Sequence, residues 1–308
     1  MPSVLLFPGQ GAQRVGMARD VAEAFPAARE ALDAIDAALG VPLSRLMFEG
    51  PEDELQLTHN AQPAILAHSA AVLAVVGHRL GPVVAAAGHS LGEYSAYVAA
   101  RALNAPAAAR LVRRRGELMY EAGRIRPGAM AAILGLDSAL VETACRNASA
   151  GNGIAVPANL NAPDQTVISG DPDTVARAGE ACKAAGAMRV LPLKVSGAFH
   201  SPLMEPAVAG LRAALAETPF GEPDHPVIAN ATAEPVDRAK DAVRLLAEQL
   251  TAPVRWVDSM RAAATLAPDA TFVEIGPGAV LAGLLKRVAP AVKSLTLGTA
   301  KEVEAFLA

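Results

Sequence analysis

Cysteine is nearly absent. The 308-residue chain holds two, Cys145 and Cys182. Two thiols cannot staple a chain of this length, and no Cys-x-x-Cys pair or Cys/His cluster at metal-ligand spacing occurs, so disulfide scaffolds, redox dithiols and zinc sites are excluded. Both cysteines read as small core or surface thiols. Aromatic residues are also scarce, 4% with one tryptophan, and there is no long Lys/Arg run. Stacking rings and a basic stripe are what nucleic-acid binding uses, so nucleic acid is not an expected partner. Long hydrophobic runs are missing too. The longest apolar stretch, Ala70 to Gly77, is bounded by His68 and by His78-Arg79, far short of the ~18 residues of a membrane span. The stretch Met1 to Gln10 has neither a basic leader nor a small-residue cleavage site, so no secretory signal and no membrane attachment are expected, and the cytoplasm is the expected location. Internal repeats and low-complexity linkers are absent.

What the chain does have is apolar mass. Hydrophobic residues make up 52% and charged residues 19%, and 27 Lys+Arg against 31 Asp+Glu leave a formal charge of −4. That composition suits a fully packed core in one large domain or two modest ones. Monomer is the default assembly.

Val4 to Phe7 is a short apolar run ended by Pro8-Gly9-Gln10-Gly11, the pattern of a buried strand delivering a loop. A helix is predicted from Ala64 to Leu80, broken by Gly81-Pro82, then a strand from Val83 to Ala87 and a helix from Ser90. Strand, tight turn and helix in that order predict an α/β domain with a parallel sheet. From Pro127 to Leu193 the rhythm changes. Strands at Ala129 to Leu136, Gly153 to Leu160, Gln165 to Gly170 and Met188 to Leu193 alternate with helices at Ser138 to Ala148 and Pro172 to Ala185, giving β-α-β-β-α-β, the ferredoxin-like unit. The expected organisation is a discontinuous large domain, residues 1–125 and 195–308, with a small domain inserted at 126–194. Further helices are predicted at Pro202 to Glu217, Val236 to Leu250, Trp256 to Ala264 and Ala279 to Val288, with strands at Val227 to Ala229 and Phe272 to Ile275.

Gly88-His89-Ser90-Leu91-Gly92 follows a strand and opens a helix, the setting of a nucleophile elbow. Small neighbours let the backbone bend, so that Ser90 Oγ stands at a helix amino terminus where the Leu91 N–H favours an oxyanion. A Gly-rich loop with Ser90 as a helix cap would carry the same residues. A hydroxyl also needs a base, usually histidine. His59, His68, His78 and His225 read as structural or solvated. His89 adjoins the serine, but adjacent side chains on a turn diverge. His200 lies in the small-residue loop Ser196 to Pro202, where the chain would re-enter the large domain, and loops on rigid scaffolds concentrate catalytic groups. The Gln10 loop closes another buried strand, at the edge where ligands bind open parallel sheets. Taken alone, Arg115 is one of three successive arginines on a helix face.

Gly9-Gln10-Gly11-x-Gln13, Gly88-His89-Ser90-Leu91-Gly92-Glu93, Arg115-Gly116, Gly128-Ala129-Met130-Ala131-Ala132, Asn159-Leu160-Asn161, Gly197-Ala198-Phe199-His200-Ser201, Pro253-Val254-Arg255-Trp256 and Glu274-Ile275-Gly276-Pro277-Gly278 span nearly the whole chain. Together the sequence resembles the malonyl-CoA:acyl carrier protein transacylases and the related acyltransferase domains of polyketide synthases. The resemblance implies an α/β-hydrolase-like large domain with the active site between it and the insert. It implies that Ser90 is acylated by malonyl-CoA, that His200 is the base, oriented by the main-chain carbonyl of Gln249, and that the Gln10 and Leu91 N–H groups form the oxyanion hole. Arg115 would grip the malonyl carboxylate, for which its planar fork is suited, and Asn159 would border the substrate. Phe199 would fill the space an α-methyl group needs, favouring malonyl over methylmalonyl. Ala12 departs from the bacterial fatty-acid members, which commonly carry serine there.

The implied reaction is ping-pong transfer to the phosphopantetheine thiol of acyl carrier protein, with no metal or organic cofactor. Such carriers are acidic, and Arg113, Arg114, Lys194 and Lys286 are the expected docking cations. Fatty acid synthesis is the expected pathway, with a stand-alone enzyme loading polyketide synthase carriers as the alternative. A serine esterase shares the elbow, but it places its histidine near the carboxyl end and adds an HGGG-like loop. A catalytically silent docking subunit would not need Ser90, His200 and Arg115 together.

Overall fold

Ser3–Phe7 are buried without exception, which requires a strand covered on both faces. Leu5 and Phe7 enter one core cluster, Val4 and Leu6 another. The structure, a computed structural model that describes residues 2–308, contains ten strands: β1 (Ser3–Phe7), β2 (Val83–Gly88), β3 (Ala129–Leu134), β4 (Ala155–Ala162), β5 (Gln165–Gly170), β6 (Arg189–Pro192), β7 (Val227–Ile228), β8 (Pro235–Val236), β9 (Thr271–Ile275) and β10 (Ser294–Leu297). Six form one sheet in the order β10-β9-β1-β2-β7-β8. Its pairs are parallel except β7 with β8 at the edge. Strands β8 and β10 and the helix Ala300–Leu307 add detail that the coarse sequence pattern leaves open, while the stretch after the Gln10 loop, which reads as helical in the sequence, holds four helices before residue 57, the longest Pro26–Leu39.

The other four strands form a second, antiparallel sheet in the order β4-β5-β3-β6. Its alternation is two-sided. Ala131, Ile133 and Ile168 face the helices Ser138–Ala148 and Pro172–Ala184, where both cysteines lie buried. Met130, Ala132 and Val167 join the main core instead. One face of this sheet is thus covered by its own helices and the other by the rest of the protein.

The helix expected from Ala64 starts earlier, at Thr58, and runs to Val76 with Pro63 inside it. Counting the 3₁₀ turn Gly77–Arg79, the stretch is 22 residues long and holds an 18-residue window of mean hydropathy 1.3, enough by length and composition to cross a membrane. The same window is 78% buried inside the protein, as a core helix is. Its first turns cross the helix Ala105–Ile125 at Gly116, where a Cβ would lie 2.6 Å from His59 Cα. Glycine at that crossing lets the residue before it, Arg115, lie directly against Gln62.

Candidate active site

Ser90 occupies the turn between β2 and the helix Gly92–Ala99, with φ at +51°. The helix starts two residues later than the sequence pattern predicts, because Ser90 takes the left-handed bend and Leu91 caps the helix. Gly88 is obligatory here. A Cβ on it would fall 1.9 Å from the Gly92 carbonyl carbon. The bend projects Ser90 Oγ toward His200, whose Nε2 lies 2.7 Å away.

His200 comes from the loop that precedes the 3₁₀ turn Pro202–Met204, and its backbone is also left-handed, φ +56°. Its Nδ1 faces two main-chain carbonyls, Gln249 O at 2.9 Å and Ala252 O at 3.2 Å. Carbonyls only accept, so Nδ1 carries the proton and Nε2 is left as the acceptor for the Ser90 hydroxyl. Burial, with the charge of Arg115 second, pushes the His200 pKa down to about 3. The imidazole is therefore neutral near pH 7 and able to take a proton.

Arg115 is 1% exposed. Nη1 donates to Gln62 Oε1 at 2.7 Å, and Nη2 donates to Gln249 Oε1 at 2.8 Å and to Ser90 Oγ at 3.1 Å. Its guanidinium carbon lies 5.5 Å from the centre of the Tyr94 ring. All three acceptors are uncharged, and Nε has no partner among the described residues. A buried cation held only by neutral groups is costly and favours an incoming anion.

Ser90, His200 and Arg115 line one cavity of about 270 Å³, together with Gln10, Leu91, Asn159, Phe199 and Lys194. Every expected site residue borders it except Gln249, which is buried beneath. The Gln10 side chain donates from Nε2 to Thr58 Oγ1 at 3.2 Å. Among the described residues neither the Gln10 nor the Leu91 backbone N–H has a protein acceptor, so both donors remain available at the cavity. Phe199 and Asn159 are buried walls, the latter on β4. A second cavity of about 250 Å³ shares Gln10, Gly11, His89, Asn159 and Leu193 with the first. His89 borders both cavities, and with its Nε2 2.8 Å from Asn161 Oδ1 it does not serve Ser90.

The expected docking cations differ in setting. Lys194 and Lys286 are exposed, whereas Arg113 is half-buried and bonded to Asn60 and Glu117, and Arg114 is paired with Glu117. Sequence reasoning missed Gln62, Asn230 and the side chain of Gln249. Asn230 Oδ1 accepts the Ser90 N–H at 2.7 Å, and its Nδ2 donates to Gly88 O at 2.7 Å. No motif marks these amides. Their only signal is a polar residue in apolar surroundings, as Gln62 is within its helix.

The family described as acyl transferase domain matches residues 4–303. The chain belongs to that family. It is 44% identical over 299 residues to the malonyl CoA-acyl carrier protein transacylase of Bacillus subtilis, covering 97% of this chain and 94% of that protein. The Escherichia coli K12 protein of the same name is 44% identical over 305 residues, covering 98% and 97%. Among solved structures, the acyl-carrier-protein-S-malonyltransferase from Bartonella henselae superposes with a TM-score of 0.94 at 42% identity, covering 100% of this chain and 98% of that one. A malonyl-transacylase in complex with a type II PKS acyl-carrier protein gives 0.94 at 40% identity, covering 100% and 99%.

Proposed function

We propose that this protein transfers a malonyl group from malonyl-CoA to the phosphopantetheine thiol of an acyl carrier protein, in fatty acid synthesis. The observation that carries the reading is the shared cavity: the Ser90–His200 pair and a buried arginine with only neutral partners open onto the same space. A thioester with a free carboxylate meets both. Its carboxylate compensates Arg115 while its carbonyl lies over Ser90, a separation that the chemistry of malonate supplies.

Ser90 Oγ attacks the thioester carbonyl as its proton passes to His200 Nε2. The oxyanion is held by the N–H groups of Gln10 and Leu91. The C–S bond then breaks and His200 returns the proton to the departing CoA sulfur. The carrier thiol repeats the steps in reverse order. His200 is held by carbonyls rather than by a carboxylate, which suits a base needed in its neutral form. No metal or organic cofactor takes part in this scheme.

The finer architecture belongs to the same reading. The strand sequence β-α-β-β-α-β in the second sheet supports a ferredoxin-like small domain at 126–194 inserted into an α/β-hydrolase-like large domain, 1–125 and 195–308. A monomer in the cytoplasm, docking an acidic carrier, completes it. The likeness to a transacylase solved with a type II PKS carrier favours one second reading, loading of polyketide synthase carriers in trans.

Intact mass spectrometry after mixing with malonyl-CoA tests the proposal. One malonyl adduct on Ser90, discharged by carrier protein bearing phosphopantetheine, is expected. Continuous CoA release in the absence of carrier would identify a hydrolase instead. Parallel rates with fatty-acid and polyketide carriers separate the two pathways.

A further inference from the structure

Glu93 lies in the first turn of the helix Gly92–Ala99, 0% exposed, and the mechanism above gives it no task. Its Oε2 accepts two hydrogen bonds, from the Asn230 backbone N–H at 2.9 Å and from Gln249 Nε2 at 2.8 Å. Oε1 has no partner among the described residues.

Those two partners hold the working groups of the site. Asn230 accepts the Ser90 N–H. Gln249 donates from Nε2 to the Ser90 carbonyl at 3.0 Å, accepts Arg115 Nη2 on Oε1, and accepts His200 Nδ1 on its main-chain carbonyl. An amide side chain has one donating end and one accepting end, and in a dry interior only its neighbours decide which faces where. A reversed Gln249 would aim its NH₂ at the Arg115 fork and its oxygen at the Ser90 carbonyl. Both contacts would be repulsive. A carboxylate, which accepts and does not donate when ionised, ties the NH₂ to its own side.

We infer that Glu93 is a positioning residue that fixes the amide orientation of Gln249 and the backbone of Asn230, and through them sets Arg115 for a substrate carboxylate and Ser90 for attack. The inference rests on the malonyl-transfer reading and adds to it a group that never touches substrate. A residue that merely filled this space would be apolar or a second amide, since a buried carboxylate carries a desolvation penalty. That penalty raises the Glu93 pKa to about 7. The charged and titratable groups facing it are Arg115, across Gln249, and the buried hydroxyls of Tyr94 and Tyr97.

The test is single-turnover acylation of Ser90 by malonyl-CoA and by acetyl-CoA in wild type, Glu93→Gln and Gln249→Met. In Glu93→Gln, malonyl acylation should fall about tenfold to a hundredfold, with a smaller fall for acetyl. Wild-type malonyl acylation should rise through pH 7, as the carboxylate ionises and accepts more strongly, and in Glu93→Gln that rise should flatten. Gln249→Met removes the amide and leaves Glu93, and it should lose malonyl preference in the same way, so the inference stays testable if Glu93→Gln does not fold. An unchanged malonyl-to-acetyl ratio in either folded variant overturns it. Wild type that forms no Ser90 adduct overturns the transfer reading itself, a different result.

Discussion

Ser90 and His200 meet at 2.7 Å, and both do so from left-handed backbone, φ +51° and +56°. Side-chain-bearing residues held there cost ~1–3 kcal/mol each. Glycine carries no such penalty. Ser90→Gly should therefore be more stable than Ser90→Ala by about 1 kcal/mol, read as a higher Tm, while neither variant forms a malonyl adduct. His200→Ala, which keeps the nucleophile without its base, should slow acylation by about 10²–10⁴-fold.

Among the described residues Arg115 donates only to neutral acceptors, with Glu93 separated from it by Gln249, so its removal should be felt mainly by diacid substrates. Arg115→Ala is expected to cost ~2–5 kcal/mol in malonyl kcat/KM, the range for truncating one side of a desolvated charge pair. Acetyl transfer should hold or rise. Arg115 uses both terminal nitrogens of a planar fork, which a single ammonium does not reproduce, so Arg115→Lys should not restore malonyl transfer. Equal losses for malonyl-CoA and acetyl-CoA would argue against carboxylate recognition.

Phe199 is a buried wall of the cavity. Phe199→Ser opens room for one α-methyl group, and the ratio of methylmalonyl to malonyl kcat/KM should rise by ~1–3 kcal/mol, the worth of one methyl in a fitted pocket. Competition between the two CoA esters measures it directly.

The pH response follows from two buried groups of opposite sign. His200 has its pKa lowered from 6.5 to about 3. Its neutral form persists in the folded protein, so the base itself imposes no loss of acylation between pH 7 and 5. In the unfolded chain the same imidazole binds a proton below 6.5, so its contribution to stability is complete above that pH and erodes toward 3. Glu93 is raised from 4.5 to about 7. Its contribution is complete below 4.5 and is lost as pH rises through 7. The Tm of Glu93→Gln relative to wild type should thus be more favourable at pH 8 than at pH 4.5, by thermal unfolding in matched buffers.

The two exposed docking candidates differ in position. Lys194 is exposed and also lines the cavity, whereas Lys286 is exposed on the helix Val280–Val288 outside it. Lys194→Glu should slow both half-reactions. Lys286→Glu should slow only transfer to carrier, several-fold at low salt and less at high salt, as for a rim charge.

The outline of this architecture is readable from short-range pattern. Val4 to Phe7 and Val83 to Ala87, each followed by a glycine turn, announce a parallel sheet, and the β-α-β-β-α-β rhythm announces a second one. The edges are less legible. β8 has two residues and β10 four, too short for any period to show. The helix predicted from Ala64 begins at Thr58 and runs through Pro63, because its first turns pack against Gly116, a long-range contact that no local apolar period reports. At the site, the motifs and their resemblance point to Ser90, His200 and Arg115. The amides of Gln62, Asn230 and Gln249 stay hidden, since their roles come from meeting residues up to 159 positions distant, and no local pattern encodes such a meeting.

The two cysteines have a consequence for a protein proposed to handle thiols at every turnover. Cys145 and Cys182 sit inside the small sheet's own core, and burial pushes the Cys145 pKa up to about 12. A protonated, enclosed sulfur neither exchanges with pantetheine nor reacts with chromogenic thiol reagents. Free CoA should therefore be countable by continuous colorimetry with the native enzyme present, and mixed-disulfide inactivation should not accompany storage with oxidised CoA.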